Sequence, residues 1–182
     1  HDPGIISCVN ISSLNTKYLL ALINSKLVSW YNIMTSPKGN RLTFPKILIG
    51  DIRKIPIIEA GTEKQIEIIE KVDILLSLNK DRQEQSQKFQ RTIQRKFDLE
   101  VLPKKLQDWY ALSYADFIKE LSKLKIKLTL LQEAEWEDYF NQEQKKAIDL
   151  KNSIDATDAA IDKMVYELYG LTSEEIKIVE QS

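Results

Sequence analysis

The chain is poor in the residues on which most enzymatic chemistry depends. Its one histidine is His1 and its one cysteine is Cys8. A Ser/His/Asp or Cys/His relay needs an imidazole placed inside the fold, so neither is expected. A lone cysteine closes no internal disulfide, and its ordinary role is a small buried apolar residue. That usage fits a reducing compartment, and the expected localisation is cytoplasmic. No Cys/His cluster has zinc-site spacing. The glycine patterns that cradle phosphates, G-x-G-x-x-G and G-x-x-x-x-G-K-[ST], are missing. No apolar run approaches the roughly 20 residues of a transmembrane helix, so no membrane is expected among the partners. The start, His1-Asp2-Pro3-Gly4, has no basic n-region, no apolar h-region and no initiator Met, and reads as a piece of something longer. Five glycines and five prolines in 182 residues leave room for few turns and call for long regular elements.

What remains is charge and helical periodicity. The chain is 43% hydrophobic and 29% charged, the composition of a folded, soluble domain. The formal net charge of -1 hides an imbalance. Residues 1–128 hold 21 Lys and Arg against 14 Asp and Glu, whereas residues 129–182 hold 5 against 13. One side suited to a polyanion and one solvated acidic side follow from that division. Between residues 24 and 54 lie six basic side chains and one acidic, Asp51.

The β-branched run 5–11 reads as a strand. Asn15 or Ser13 caps a helix to about Thr35, with Tyr18, Leu19, Leu22, Ile23, Leu27 and Trp30 on one face. A loop at 36–40 precedes short strands at 41–44 and 47–50, and 52–58 is extended, with Pro56 arguing for an edge. Thr62 and Gln65 form a T-x-x-Q box that opens a helix to about Phe97. Its apolar stripe is Ile66, Ile69, Val72, Leu75 and Leu76, then Phe89, Ile93 and Phe97. Beyond Pro103, Trp109, Tyr110, Tyr114 and Phe117 form an aromatic patch on two short helices, with Ser113 and Asp116 as a cap between them. The stretch 124–130 is a short strand or an extended connector. A helix over about 131–169 carries Ala147, Leu150, Ile154, Thr157, Ile161, Met164 and Leu168 at alternating spacings of 3 and 4, a heptad seam that Trp136 and Phe140 extend. A rod of that length needs a partner to bury its stripe, and Thr62–Phe97 is the element of matching length. Gly170 then supplies a left-handed stop, and Thr172 with Glu175 caps a last short helix whose Ile176 and Val179 fold back.

Few constellations carry chemistry. Glu133, Glu135, Glu137 and Asp138 spread around a helix, and Asp155, Asp158 and Asp162 read as a solvated row. Glu175-x-Lys177 matches part of a nuclease-like E-x-K without an upstream Asp. No catalytic residue, metal site or cofactor site is expected within this chain. The basic set Lys38, Arg41, Lys46, Arg53 and Lys54, on a Gly/Pro loop and the elements after it, is the candidate DNA-binding site, weighed against ordinary surface charge. Trp30 and Tyr31 read as core rather than base-stacking. Lys80, Arg82, Lys88, Arg91, Arg95 and Lys96, mixed with Asp81 and Glu84, read as a solvated helix.

Several stretches carry a resemblance. The helix Tyr18-Leu19-Leu20-Ala21-Leu22-Ile23-Asn24-Ser25-Lys26-Leu27, the run Ile52-Arg53-Lys54-Ile55-Pro56-Ile57, the start of the spacer helix at 65–78, the stretch 134–140 and the ending 161–180 are similar to one family. That family is the C-terminal specificity region of bacterial restriction–modification methyltransferase/endonucleases, with a TaqI-like target recognition domain and helical spacer, akin to type I specificity subunits. The resemblance implies the C-terminal part of a target recognition domain at 1–60 and a helical spacer and docking domain at 61–182. The fold class expected from the residue patterning is mostly α with a small β part (α+β), a long antiparallel, coiled-coil-like helical pair plus an α/β fragment, which the resemblance identifies with a recognition domain. The implied role is a non-catalytic DNA-specificity fragment. The other reading is a purely structural dimerisation or docking module. Implied partners are double-stranded DNA, upstream catalytic domains or a partner subunit, and a second copy as a homodimer. S-adenosylmethionine and Mg2+ would serve the parent's adenine methyltransferase or endonuclease, since no N-P-P-Y motif, S-adenosylmethionine loop or complete nuclease motif is found here.

Overall fold

The run Thr62–Phe97 is one uninterrupted helix, as its polar middle and flanking apolar stripes require. In chain order the helices are α1 (Thr16–Asn24), α2 (Lys26–Thr35), α3 (Ile49–Ile52), α4 (Thr62–Phe97), α5 (Lys104–Gln107), a 3-10 turn (Trp109–Ala111), α6 (Tyr114–Lys123), α7 (Leu130–Tyr169) and α8 (Ser173–Glu180). The computed structural model describes residues 13–36 and 49–181. The chain divides into two units, His1–Leu75 with Thr157–Ser182, and Leu76–Ala156. Helices α4 and α7 each contribute residues to both.

The small β part is not found. Among the described residues 79% are helical and none is in a strand, so the fold there is all-α rather than α+β. Of the strand expected over 47–50, the described residues Ile49 and Gly50 open α3 instead, where the Arg53 amide bonds the Ile49 carbonyl at 3.2 Å and the Lys54 amide bonds the Asp51 carbonyl at 3.0 Å; 47 and 48 lie outside the described residues. The connector before α7 forms no strand, and its start is a turn through Lys125. The strands expected at 5–11 and 41–44 lie outside the described residues.

In the first unit, Tyr18, Ala21 and Leu22 of α1 pack with Ala60, Ile68 and Val72 and with Ile161 and Val165 of α7. The expected α4 stripe is met in part, with Val72 buried and Ile69 and Leu75 packed against the same core. Ile68 is buried, while Ile66 and Leu76 are exposed. The isoleucines at 66, 68 and 69 leave the register open until α1 and α7 select it. The single helix expected from Asn15 to Thr35 is two. Asn15 caps α1 by accepting from the Lys17 amide at 2.8 Å. Ser25 interrupts the run, with its hydroxyl bonded to the Leu22 carbonyl and accepting from the Val28 amide. Ser25 therefore serves as the N-cap of α2.

The second unit is an aromatic core between antiparallel stretches of α4 and α7. Phe97 meets Trp136 and Phe89 meets Phe140, at centroid distances of 5.1 and 6.0 Å. Phe89 also stacks on Trp109 at 3.8 Å. Phe117, Leu106 and Leu121 complete the cluster. The Gln144 amide clamps the 3-10 turn by donating to the Tyr110 and Leu112 carbonyls at 3.0 and 2.6 Å. Tyr114 donates to the Glu133 carbonyl at 2.6 Å, and burial pushes its phenol up to about 12. Ser113 and Asp116 form the expected cap of α6.

Three helices share one ending. Asp98, Lys125 and Gly170 take left-handed φ of 51°, 62° and 68°. In each case the next amide reaches back five residues: Leu99 to Gln94, Ile126 to Leu121, Leu171 to Tyr166. These are Schellman endings, and only Gly170 fills its position without strain. Beyond Gly170, Thr172 and Glu175 form the expected capping box of α8.

Candidate nucleic-acid interface

The segment after α3 has the composition of a strand, and its hydrogen bonding shows why it is not one. The Lys54, Pro56 and Ile58 carbonyls accept from three tyrosine hydroxyls, Tyr31 at 3.3 Å, Tyr169 at 2.5 Å and Tyr18 at 2.7 Å. Alternate carbonyls of an extended chain point to one side, where a neighbouring strand would otherwise pair. Helical side chains take that role here. Tyr18 is fully buried while doing so, and burial raises its phenol above the ordinary range.

The second anchor is a buried clasp. The Ser36 hydroxyl, just past α2, donates to the Asp51 carboxylate of α3 at 2.8 Å, and both residues are buried. The chain leaves α2 at one side of this bond and re-enters at the other. Arg53 and Lys54 follow immediately, exposed, with Ile55 buried beneath them. Lys38, Arg41 and Lys46 belong to the intervening segment and lie outside the described residues. The described part of the unit therefore places two of the five expected cations and fixes both ends of the segment that bears the other three.

A polar network holds α2, α7 and α8 together in the same unit. Lys26 pairs with Glu180 at 2.6 Å, and Tyr166 donates to the other Glu180 oxygen at 2.8 Å. The Lys26 and Tyr166 hydrogen bonds hold the Glu180 carboxyl below its usual range. Asp162 is buried, which corrects its reading as part of a solvated row. Burial pushes its carboxyl upward, against the lowering effect of the Lys26 amide and ammonium.

The other candidates resolve as structure. Glu135, Glu137 and Asp138 are exposed on α7, and Glu175 is engaged in its capping box. Trp30 and Tyr31 are half-buried. Among the described residues no group of His, Cys, Asp and Glu is arranged to hold a metal ion, and no helix is long and apolar enough to cross a membrane. The residues missed from sequence are positioning ones: Ser36, Asp51 and the three tyrosines. Only the tyrosines left a trace, since Tyr18 and Tyr169 sit on the buried faces of amphipathic helices.

Residues 4–57 match the family model described as the TaqI-like C-terminal specificity domain. Residues 61–165 match the one described as Domain of unknown function (DUF8810). No curated protein and no solved structure matches the chain.

Proposed function

We propose, from the premise that the chain belongs to the family described as Domain of unknown function (DUF8810) and carries a TaqI-like C-terminal specificity region of a restriction–modification protein, that it is a non-catalytic DNA-specificity module. A specificity domain of this kind serves DNA target recognition in restriction–modification systems, in association with the other domains or subunits of the system, and is generally non-catalytic. In the finer reading, Lys38, Arg41, Lys46, Arg53 and Lys54 contact mainly phosphates and set the register on the duplex, while upstream residues of the parent supply contacts to bases. The long helices act as spacer and docking surface for catalytic domains. Those domains would hold S-adenosylmethionine, and Mg2+ where the parent also cleaves.

The observation that carries this reading is the Ser36–Asp51 clasp. It supports the reading because the exposed Arg53 and Lys54 follow directly on Asp51, which Ser36 holds. Phosphate contacts release counterions, so binding should fall with salt at a log–log slope of about -0.9 per phosphate. Fluorescence anisotropy with duplex DNA at two salt concentrations tests it. Arg53→Gln with Lys54→Gln should flatten the slope by about 1.8 on the same rule. Absence of binding even at low salt sinks the reading.

A second reading is a docking or dimerisation module without nucleic-acid contact. It draws on the large exposed apolar residues of the helical part, Val101, Leu130 and Leu131. Sedimentation of the chain with and without its catalytic partner separates the two.

A further inference from the structure

The second unit is electrically two-sided. Between 76 and 97, α4 carries Lys80, Arg82, Lys88, Arg91, Arg95 and Lys96 against Asp81 and Glu84. Between 130 and 156, α7 carries seven acidic residues against three lysines. The last three turns of α4, from Ser86 to Phe97, contain four cations and no anion.

Helical geometry gathers these cations. At about 100° per residue, Lys80, Lys88, Arg91 and Arg95 fall within roughly 80° of one another, on the side opposite the buried Phe89 and Ile93. All four are exposed. Lys80 pairs with Glu84 at 3.8 Å, whereas Lys88, Arg91 and Arg95 have no carboxylate partner among the described residues. A solvated helix usually intersperses its signs; Glu84 lies on this face beside Lys80, and from Ser86 to Phe97 the face carries cations alone. At about 1.5 Å per residue the three unpaired cations span roughly 10 Å, a reach that covers adjacent phosphates of one strand.

A groove of about 640 Å³ runs along the neighbouring face of the same helix. It is lined by the amides of Gln83 and Gln87, with Arg82, Tyr110 and the Asp108 carboxylate at its sides, and by Gln90, which donates to the Gln107 carbonyl at 2.8 Å. Neutral amide donors beside a cationic row suit sugar and phosphodiester oxygens, which offer acceptors and no donors apart from chain ends. Arginine's planar fork fits a phosphate bidentately, and two of the three unpaired cations are arginines.

We propose that the Lys88, Arg91 and Arg95 face of α4 is a second DNA-backbone contact, outside the specificity domain. It rests on the DNA-facing reading above and extends it to the helical family domain. The contact is to phosphates and carries no base information. It would lengthen the footprint on DNA beyond the recognised sequence without changing which sequence is chosen.

The test uses the full chain and duplexes of increasing length at several salt concentrations. The variant Lys88→Gln with Arg91→Gln and Arg95→Gln keeps good helix formers on an exposed face, and circular dichroism confirms its helicity. Its log–log salt slope should be shallower than the parent's by about 2.7, so the affinity lost between 50 and 200 mM salt shrinks about 40-fold. The single Arg95→Gln change should remove about 0.9 of slope and supplies the same answer should the triple variant fold poorly. Discrimination between target and non-target duplexes should be unchanged. A parent chain that binds while both variants keep the full slope overturns this contact and leaves the specificity-domain reading standing. Variants that keep the DNA slope but lose binding to a catalytic partner also overturn it, and assign the face to an acidic protein surface. Loss of slope only in the Arg53/Lys54 variant confines the footprint to the first unit. A parent chain with no affinity for any duplex removes both readings together.

Discussion

The Asp162 carboxylate accepts the backbone amide of Lys26 at 2.9 Å, across 136 positions of sequence. Lys26 opens α2, and its amide is one of the orphan donors of that helix's first turn. Ser25 satisfies the Val28 amide locally and Asp162 satisfies Lys26 from α7. Asp162→Ala should therefore destabilise the unit by about 1 kcal/mol, as loss of a cap does, while Asp162→Asn keeps an acceptor and should cost less. Urea titrations of the two variants measure the difference.

The same cluster sets opposed responses to pH. Asp162 is shifted up, so the folded state holds its proton more tightly than the unfolded chain, and this group's contribution falls as pH rises through the carboxylate range and above. Glu180 is shifted down, chiefly by its Lys26 hydrogen bond, so its contribution is present at neutral pH and is lost as pH falls below the ordinary carboxylate range. Glu180→Gln should reduce the loss of stability on acidification, and Asp162→Asn should deepen it. Denaturant midpoints from pH 3 to pH 7 read both signs.

The three Schellman endings differ in the residue at the left-handed position. Asp98→Gly and Lys125→Gly should each stabilise the second unit by about 0.5–1 kcal/mol, by relieving a side chain in a left-handed conformation. Gly170→Ala should destabilise by about 1 kcal/mol. A Cβ at Gly170 would meet nothing within 4 Å, so that effect is the backbone's alone. Thermal melts give the three signs.

Phe89 is fully buried and touches five aromatic rings. Phe89→Ala should cost about 3–5 kcal/mol. Trp109 is fully buried too, yet its indole N–H has no acceptor. Trp109→Phe removes that unsatisfied donor together with the larger ring, so its cost should fall well short of the Phe89 truncation. Unfolding followed by near-ultraviolet circular dichroism compares them.

The tyrosine ladder ranks itself by burial. Tyr18→Phe leaves the Ile58 carbonyl without its hydroxyl donor beside a buried core and should cost about 1–3 kcal/mol. Tyr31→Phe removes a longer bond at an exposed site and should cost under about 1 kcal/mol. Chemical denaturation of each variant checks the order.

The long helices were legible because their apolar spacing is a local property. Thr62–Phe97 is found as expected, and α7 starts at Leu130, one residue before the expected 131. Ala147, Ile154 and Ile161 are buried as the heptads require. What failed depended on partners distant in sequence. Ser25 could be a helix residue or a cap until α2 had a reason to turn. Ile66, Ile68 and Ile69 could each face inward. The β-branched run ending at Ile58 has every local attribute of a strand, and only the tyrosines of α1, α2 and α7 show that its carbonyls are already satisfied. For the candidate site, charge pointed to Arg53 and Lys54 as exposed residues, while the clasp that positions them joins two ordinary polar residues 15 apart.

That clasp also sets how α2 and α3 are held to each other. The energy of lengthening a loop between fixed ends grows only with the logarithm of its length, about 0.6 kcal/mol per doubling. The Ser36–Asp51 bond ties the end of α2 to α3 directly, so these two helices are held by a contact of their own and not by the length of chain that joins them in sequence.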